Sequence, residues 1–203
     1  NYSSWSLRGW LALKHIGRQF EEIMIPLDQP ETAAAIAAHS PSGLVPALDI
    51  DGTVVWESLA IIEALHDLAP EAGLWPRERQ ARAVARGVAA EMHAGFAALR
   101  RDMPMDLRAS KPGQGHTEAA LTNIGRIDAL WQQCRETYGG GGPYLFGAYC
   151  GADIMFAPVV GRFMTYAPPL SAVAGAYVDT IWNHPDMVAW VAAARAEPWT
   201  IDV

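Results

Sequence analysis

The sequence predicts an α/β plus all-α fold, with a small α/β unit over residues 1–70 and an all-helical unit over residues 77–203. Three observations predict it. Strand signals cluster before residue 70, around an Asp51-Gly52 pair that marks a tight hairpin. Pro70 to Pro76 carries two prolines and a glycine and reads as a linker. Beyond it, helical periodicity dominates to the end of the chain.

Each element has its own signal. Leu7, Trp10, Leu11, Leu13 and Ile16 recur at helical spacing, and Gly17 closes the helix. Phe20 to Ile25 reads as a short strand ended by Pro26. Glu31 to Ala38 is Ala-rich and predicts a short helix; Ser40 to Gly43 predicts a loop. Ala47 to Ile50 and Thr53 to Trp56 form the two arms of the hairpin, and an apolar helix runs from Leu59 to Leu68. After the linker, one long helix is expected from Glu78 to Arg101. A loop over 102–116 follows. Further helices are expected over Thr117 to Tyr138, Ala152 to Tyr166, Ser171 to Trp182 and Pro185 to Ala196. Four glycines and a proline (Gly139 to Pro143) break the second of these long helices.

Bulk composition excludes several classes. The 203 residues are 51% apolar and 18% charged, enough for a sizeable core and unlike a disordered chain. A net charge of −7 without a basic run is a poor match for nucleic acid or an anionic membrane. No apolar stretch reaches bilayer-spanning length, and the start has no signal-peptide pattern. Two cysteines, Cys134 and Cys150, make neither a disulfide scaffold nor a zinc site. They indicate a reducing compartment, the cytoplasm. No metal is expected.

Three features of the first unit carry chemistry. In Val45-Pro46-Ala47-Leu48 a proline directly precedes a strand. A cis bond there would turn the Val45 backbone outward, where its N–H and C=O could pair with an extended peptide. An ordinary loop proline is the plainer alternative. Glu57-Ser58 sits where a hairpin strand meets a helix N-terminus, a ready carboxylate site. Ser58 adds a hydroxyl donor and Glu57 an acceptor for an ammonium, so the implied ligand ends like an α-amino acid. The alternative is a plain helix cap. Ser3, Ser4 and Ser6 precede the first helix, where an anionic thiolate would be stabilised; capping is again the alternative.

The segment from Ser40 to Gly52, running into Trp56-Glu57-Ser58-Leu59-Ala60-Ile61-Ile62, resembles the glutathione-binding segment of cytosolic glutathione transferases. Ser3-Ser4-Trp5-Ser6-Leu7-Arg8 resembles the active-site serine turn of the zeta and tau classes, in a bacterial-type chain. Phe146 to Asp153 resembles the family's buried capping box, with Cys150 and Asp153 as the cap. The resemblance covers nearly the whole chain in the expected order.

The resemblance implies a thioredoxin-like first domain, a helical domain forming the electrophile pocket, a homodimer, and glutathione as co-substrate. It implies conjugation of the glutathione thiolate to small apolar electrophiles, a detoxification activity. The alternatives are a glutathione-dependent isomerase or peroxidase, or a non-catalytic binding protein of the same fold. Ser3 is the first choice for activating the thiol, by the count used for zeta and tau members; the theta count selects Ser4. Val45, Pro46, Glu57 and Ser58 would hold the γ-glutamyl and cysteinyl parts.

Three residues depart from the family pattern. Leu44 replaces the Lys or Gln that often contacts the glycine end, so His39 would have to help. Trp5 replaces the zeta-class cysteine, which weighs against maleylacetoacetate isomerase activity. Cys150 replaces the usual Ser or Thr cap. The fold also has a central strand just before the active-site turn, so residues upstream of Asn1 are expected to supply it. On the helical unit, His93 is a minority candidate for pocket lining. Met103 and Met105 suit a pocket or a core. The tryptophans read as core or interface, and Arg77, Arg79, Arg82 and Arg86 as a solvated face.

Overall fold

A computed structural model describes residues 1–201; the last two residues of the expected helical unit, 202 and 203, lie outside the described residues. The first part holds α1 (Ser4–Ile16), α2 (Thr32–Ala37), the hairpin strands β1 (Ala47–Ile50) and β2 (Thr53–Trp56), and α3 (Ser58–Leu68). A single 3-10 turn, Pro70–Ala72, leads out of it. Then come α4 (Arg79–Ala94), α5 (Ala97–Asp102), α6 (Glu118–Tyr138), α7 (Gly151–Tyr166), α8 (Ala172–Trp182) and α9 (Pro185–Ala196).

The hairpin forms as its turn chemistry dictates. Asp51 and Gly52 both take positive φ, 51° and 86°, which matches the twist of the two strands. The pairing is antiparallel, with Ala47 opposite Trp56 and Ile50 opposite Thr53. Among the described residues the sheet has these two strands.

Two expectations are corrected. Phe20 to Ile25 is not a strand: no strand pairs with it among the described residues, and Ile23 and Met24 are more than half exposed. β-propensity without ladder hydrogen bonds does not hold a strand. A cavity of about 740 Å³, lined by residues 18–27 and by β1, lies beside this segment. The long helix expected from Glu78 to Arg101 is two helices. Gly95 and Phe96 break it, with Phe96 at φ 60°. A Cβ on Gly95 would lie 2.8 Å from the Glu91 carbonyl oxygen, so the break needs glycine. Arg100, from the next helix, donates to the Met92, His93 and Gly95 carbonyls and satisfies the end of α4.

α7 is the centre of the molecule. All but one of its residues are buried, and α1, α4 and α8 pack against it. Trp131 of α6 is fully buried against Phe156, Phe163 and Tyr177, and Met103 and Met105 belong to this core. The N-terminus of α7 is fixed by Asp153. Its carboxylate accepts from the Cys150 N–H at 2.9 Å, the Leu145 N–H at 3.1 Å and the Tyr177 hydroxyl at 2.9 Å. Cys150 occupies the N-cap and completes a reciprocal box with it.

Burial pushes the Asp153 carboxyl up to about 6, against the hydrogen bonds that favour its ionised form. In the unfolded chain it titrates near 3.8. Between these values the folded chain keeps a proton that the unfolded chain has lost. Its stability therefore falls as pH rises through that window, by about 3 kcal/mol from this group. Urea unfolding of wild type and Asp153→Asn across the window should show this slope in the wild type only; equal slopes would contradict it.

Candidate active site

The turn before β1, α1, α3 and α4 converge on a cleft of about 380 Å³, lined by Trp5, Leu44, Val45, Pro46, Glu57, Ser58, His93 and Ala94. Local rules set each wall. The Val45–Pro46 bond is cis. Among the described residues neither backbone group of Val45 has a hydrogen-bond partner, so both are open to an extended ligand. α1 can approach this turn because residue 9 is glycine: a Cβ there would already lie 3.3 Å from the Pro46 ring.

At the hairpin exit, Glu57 takes φ 70° and ψ 123°, a region rare for a side chain with a Cβ. The kink carries the chain from β2 into α3 and presents the helix N-terminus to the cleft. Ser58, its first residue, is 1% exposed, and its hydroxyl oxygen is buried without a partner. An idle buried hydroxyl beside unsatisfied helix N–H groups suits a carboxylate. The Glu57 carboxylate lies 3.5 Å from His93 Nε2, so α4 closes the cleft from the helical side. The Trp5 ring meets His93 edge-on at 5.3 Å.

Five of the residues expected at the site, Leu44, Val45, Pro46, Glu57 and Ser58, meet in this cleft, joined by His93. Leu44 is 61% exposed. The serines stand apart. Ser3 is the N-cap of α1: its hydroxyl accepts from the Ser6 N–H at 3.2 Å and donates to the Ser6 hydroxyl at 2.7 Å. It lines the larger cavity, with Val45 and Pro46 as the wall shared between the two. Ser4 is buried in the first turn of α1 and lines neither cavity. His39 is exposed and lines the larger cavity, not the cleft. Trp5 and Ala94 line the cleft without having been expected there. The aromatic beside the serine turn was the available signal for Trp5; Ala94 carried none. Among the described residues no group of three or more His, Cys, Asp or Glu could hold a metal.

The glutathione S-transferase N-terminal domain family matches residues 2–68, the span that holds the serine turn, the cis-proline and the Glu57-Ser58 junction. The first unit is a glutathione S-transferase N-terminal domain. The chain as a whole has the glutathione transferase fold. It superposes on a glutathione transferase homolog from Burkholderia gl BGR1, solved with bound glutathione, at TM-score 0.71 and 25% identity, covering 96% of this chain and 92% of that one. It also superposes on a bacterial maleyl pyruvate isomerase of the zeta class at TM-score 0.72 and 24% identity, covering 98% and 96%. In sequence it is 26% identical to a probable maleylacetoacetate isomerase of Caenorhabditis elegans, over 90% of each chain. With this transferase fold, the thioredoxin-like unit and the helical unit stand as the sequence predicts.

The kink at Glu57 has a measurable cost. Glycine at this position removes a strain of about 1 kcal/mol and also removes the carboxylate. Glu57→Gly should therefore unfold at equal or higher urea concentration than wild type while binding glutathione more weakly by calorimetry. A less stable variant with unchanged affinity would show that the kink is not strained and the carboxylate not used.

Proposed function

We propose that this glutathione transferase joins the thiolate of glutathione to a small electrophile, with residues 1–70 carrying glutathione and residues 77–203 the electrophile. The observation that carries the reading is the cleft itself. An open Val45 backbone, an idle buried Ser58 hydroxyl and the Glu57 carboxylate converge there, in a chain whose fold relative holds glutathione.

In this reading the Val45 N–H and C=O pair with the cysteinyl residue of glutathione as an added strand does. The N-terminus of α3 and the Ser58 hydroxyl take the γ-glutamyl carboxylate, and Glu57 takes its ammonium. Ser3, at the N-cap of α1, turns its hydroxyl from Ser6 to the sulfur. That hydrogen bond and the helix N-terminus favour the thiolate, which is the nucleophile. Ser4, buried within the turn, supports its geometry. Leu44 lies at the glycine end and supplies apolar contact only. Two free buried cysteines support a cytoplasmic setting. Exposed Trp56 and Val84 offer apolar surface for a homodimer.

A glutathione-dependent isomerase is the second reading, favoured by relatives named maleylacetoacetate isomerase, although Trp5 stands in the serine turn where that class has cysteine. Turnover of maleylacetoacetate faster than of an aromatic halide would select it.

The test is retention on immobilised glutathione followed by conjugation of 1-chloro-2,4-dinitrobenzene. Ser58→Ala should weaken glutathione about tenfold, the loss of one hydrogen bond to a charged group, with little change in folding. Ser3→Ala should raise the apparent pKa of the bound thiol by about one to two pH units and lower kcat/KM at neutral pH. A chain neither retained nor stabilised thermally by glutathione contradicts both enzyme readings.

A further inference from the structure

At the other end of α1 from Trp5, a group of rings joins four parts of the chain. Tyr149, buried in the loop before α7, stacks face to face on His184 at 4.1 Å. His15, near the end of α1, meets the same Tyr149 ring edge-on at 5.4 Å. Tyr144 closes the group, edge-on to Tyr149 at 5.2 Å and to His184 at 6.2 Å. His15 also lies by the carbonyls of Ala72 and Gly73, where the chain leaves the first unit. His184 is the N-cap of α9, and α9 lays Trp190 edge-on against Trp10 of α1 at 5.3 Å.

The geometry needs both histidines neutral. His184 Nδ1 accepts the Asp186 N–H at 3.3 Å and so satisfies one of the free donors that open α9. A proton on Nδ1 abolishes that bond and sets two donors against each other. His15 Nε2 is buried and has no hydrogen-bond partner among the described residues. Protonated His15 would hold a charge with a buried nitrogen that nothing receives.

Few other groups act on the pair. His184 and Asp186 bear on His15; Asp186 bears on His184, its carboxylate 3.9 Å from Nδ1. The Tyr144 and Tyr149 phenols, on which Asp153 bears, are pushed up by burial and stay neutral where histidine titrates. Burial is the largest influence on both histidines and holds each below its ordinary value of 6.5, against the pull of Asp186. Protons therefore favour the chain in which these rings have come apart. The docking of α9 is at full strength above 6.5 and weakens as pH falls below it.

We propose that His15 and His184, bridged by Tyr149, form an acid-released clasp that holds α9 and the exit from the first unit against α1. Protonation of His184 exchanges the backbone cap for an ion pair with the Asp186 carboxylate, and protonation of His15 places a second charge beside the first. α9 then loosens ahead of the core around α7, and α1, which carries Trp5 to the cleft, loses part of its support. The clasp is independent of what the cleft binds.

The experiment follows the imidazole resonances and backbone amides of the full chain by nuclear magnetic resonance, from about pH 7.5 to about pH 5. Both ring midpoints should fall below 6.5. Amide exchange in α9, corrected for its intrinsic pH dependence, should accelerate by about threefold or more relative to α7. The acceleration should shrink in His184→Asn, which caps without titrating, and vanish when His15→Gln is added. Asp153 is common to all these chains, so its own titration cancels in the comparison. A midpoint at or above 6.5 for either ring overturns the proposal in the wild type alone, whatever the variants do. So does α9 exchange that only keeps pace with α7. An acceleration that survives in the double variant overturns it as well.

Discussion

The buried carboxylate of Asp153 is the constraint on which the arrangement depends. It gathers the Cys150 and Leu145 N–H groups and the Tyr177 hydroxyl at one point, and so fixes where α7 begins and how it meets α8. α7 is buried nearly throughout, and it is the surface against which α1 and α4 are set. α1 supplies Trp5 to the cleft; α4 supplies His93. A carboxylate that touches no ligand thus sets the distance between the two halves of the cleft. Its cost is visible in its titration, since burial outweighs three favourable hydrogen bonds.

The site itself shows the opposite economy, with polar groups left unmatched. Among the described residues, the Ser58 hydroxyl, the Val45 backbone and the Nη atoms of Arg8 are each without a hydrogen-bond partner. In a well-satisfied protein such groups are rare, and each needs a reason. The Ser58 hydroxyl and the Val45 backbone share one cleft, whereas other unmatched groups, such as the Trp131 and Trp190 ring N–H, lie elsewhere. A ligand with an amino-acid end and an extended peptide middle, as proposed, would satisfy the Ser58 hydroxyl and the Val45 backbone together.

Much of this was legible in the sequence. The hairpin was, because Asp51-Gly52 permits little else, and so was α9, bounded at Pro185 and Ala196 by local signals alone. That Val45, Pro46, Glu57 and Ser58 share one cleft was legible because proline and helix N-termini act through their immediate neighbours. What failed was what depends on distant partners. Phe20 to Ile25 has strand composition, but a strand is made by the chain beside it. The continuous helix through Gly95 overlooked that a glycine within a helical pattern can mark a break, here stabilised by Arg100 from the following turn. Ala94 carried no local signal, and Trp5 only its place beside the serine turn, because their position in the cleft depends on how α1 and α4 meet.

The central claim is that the cis-proline turn pairs with a peptide thiol through the backbone of Val45. Amide hydrogen exchange at Val45, followed by nuclear magnetic resonance with and without glutathione, tests it most directly. The account predicts exchange slowed by about tenfold or more when glutathione is bound, as a newly paired amide requires. Exchange at Val45 unchanged under saturating glutathione would contradict it.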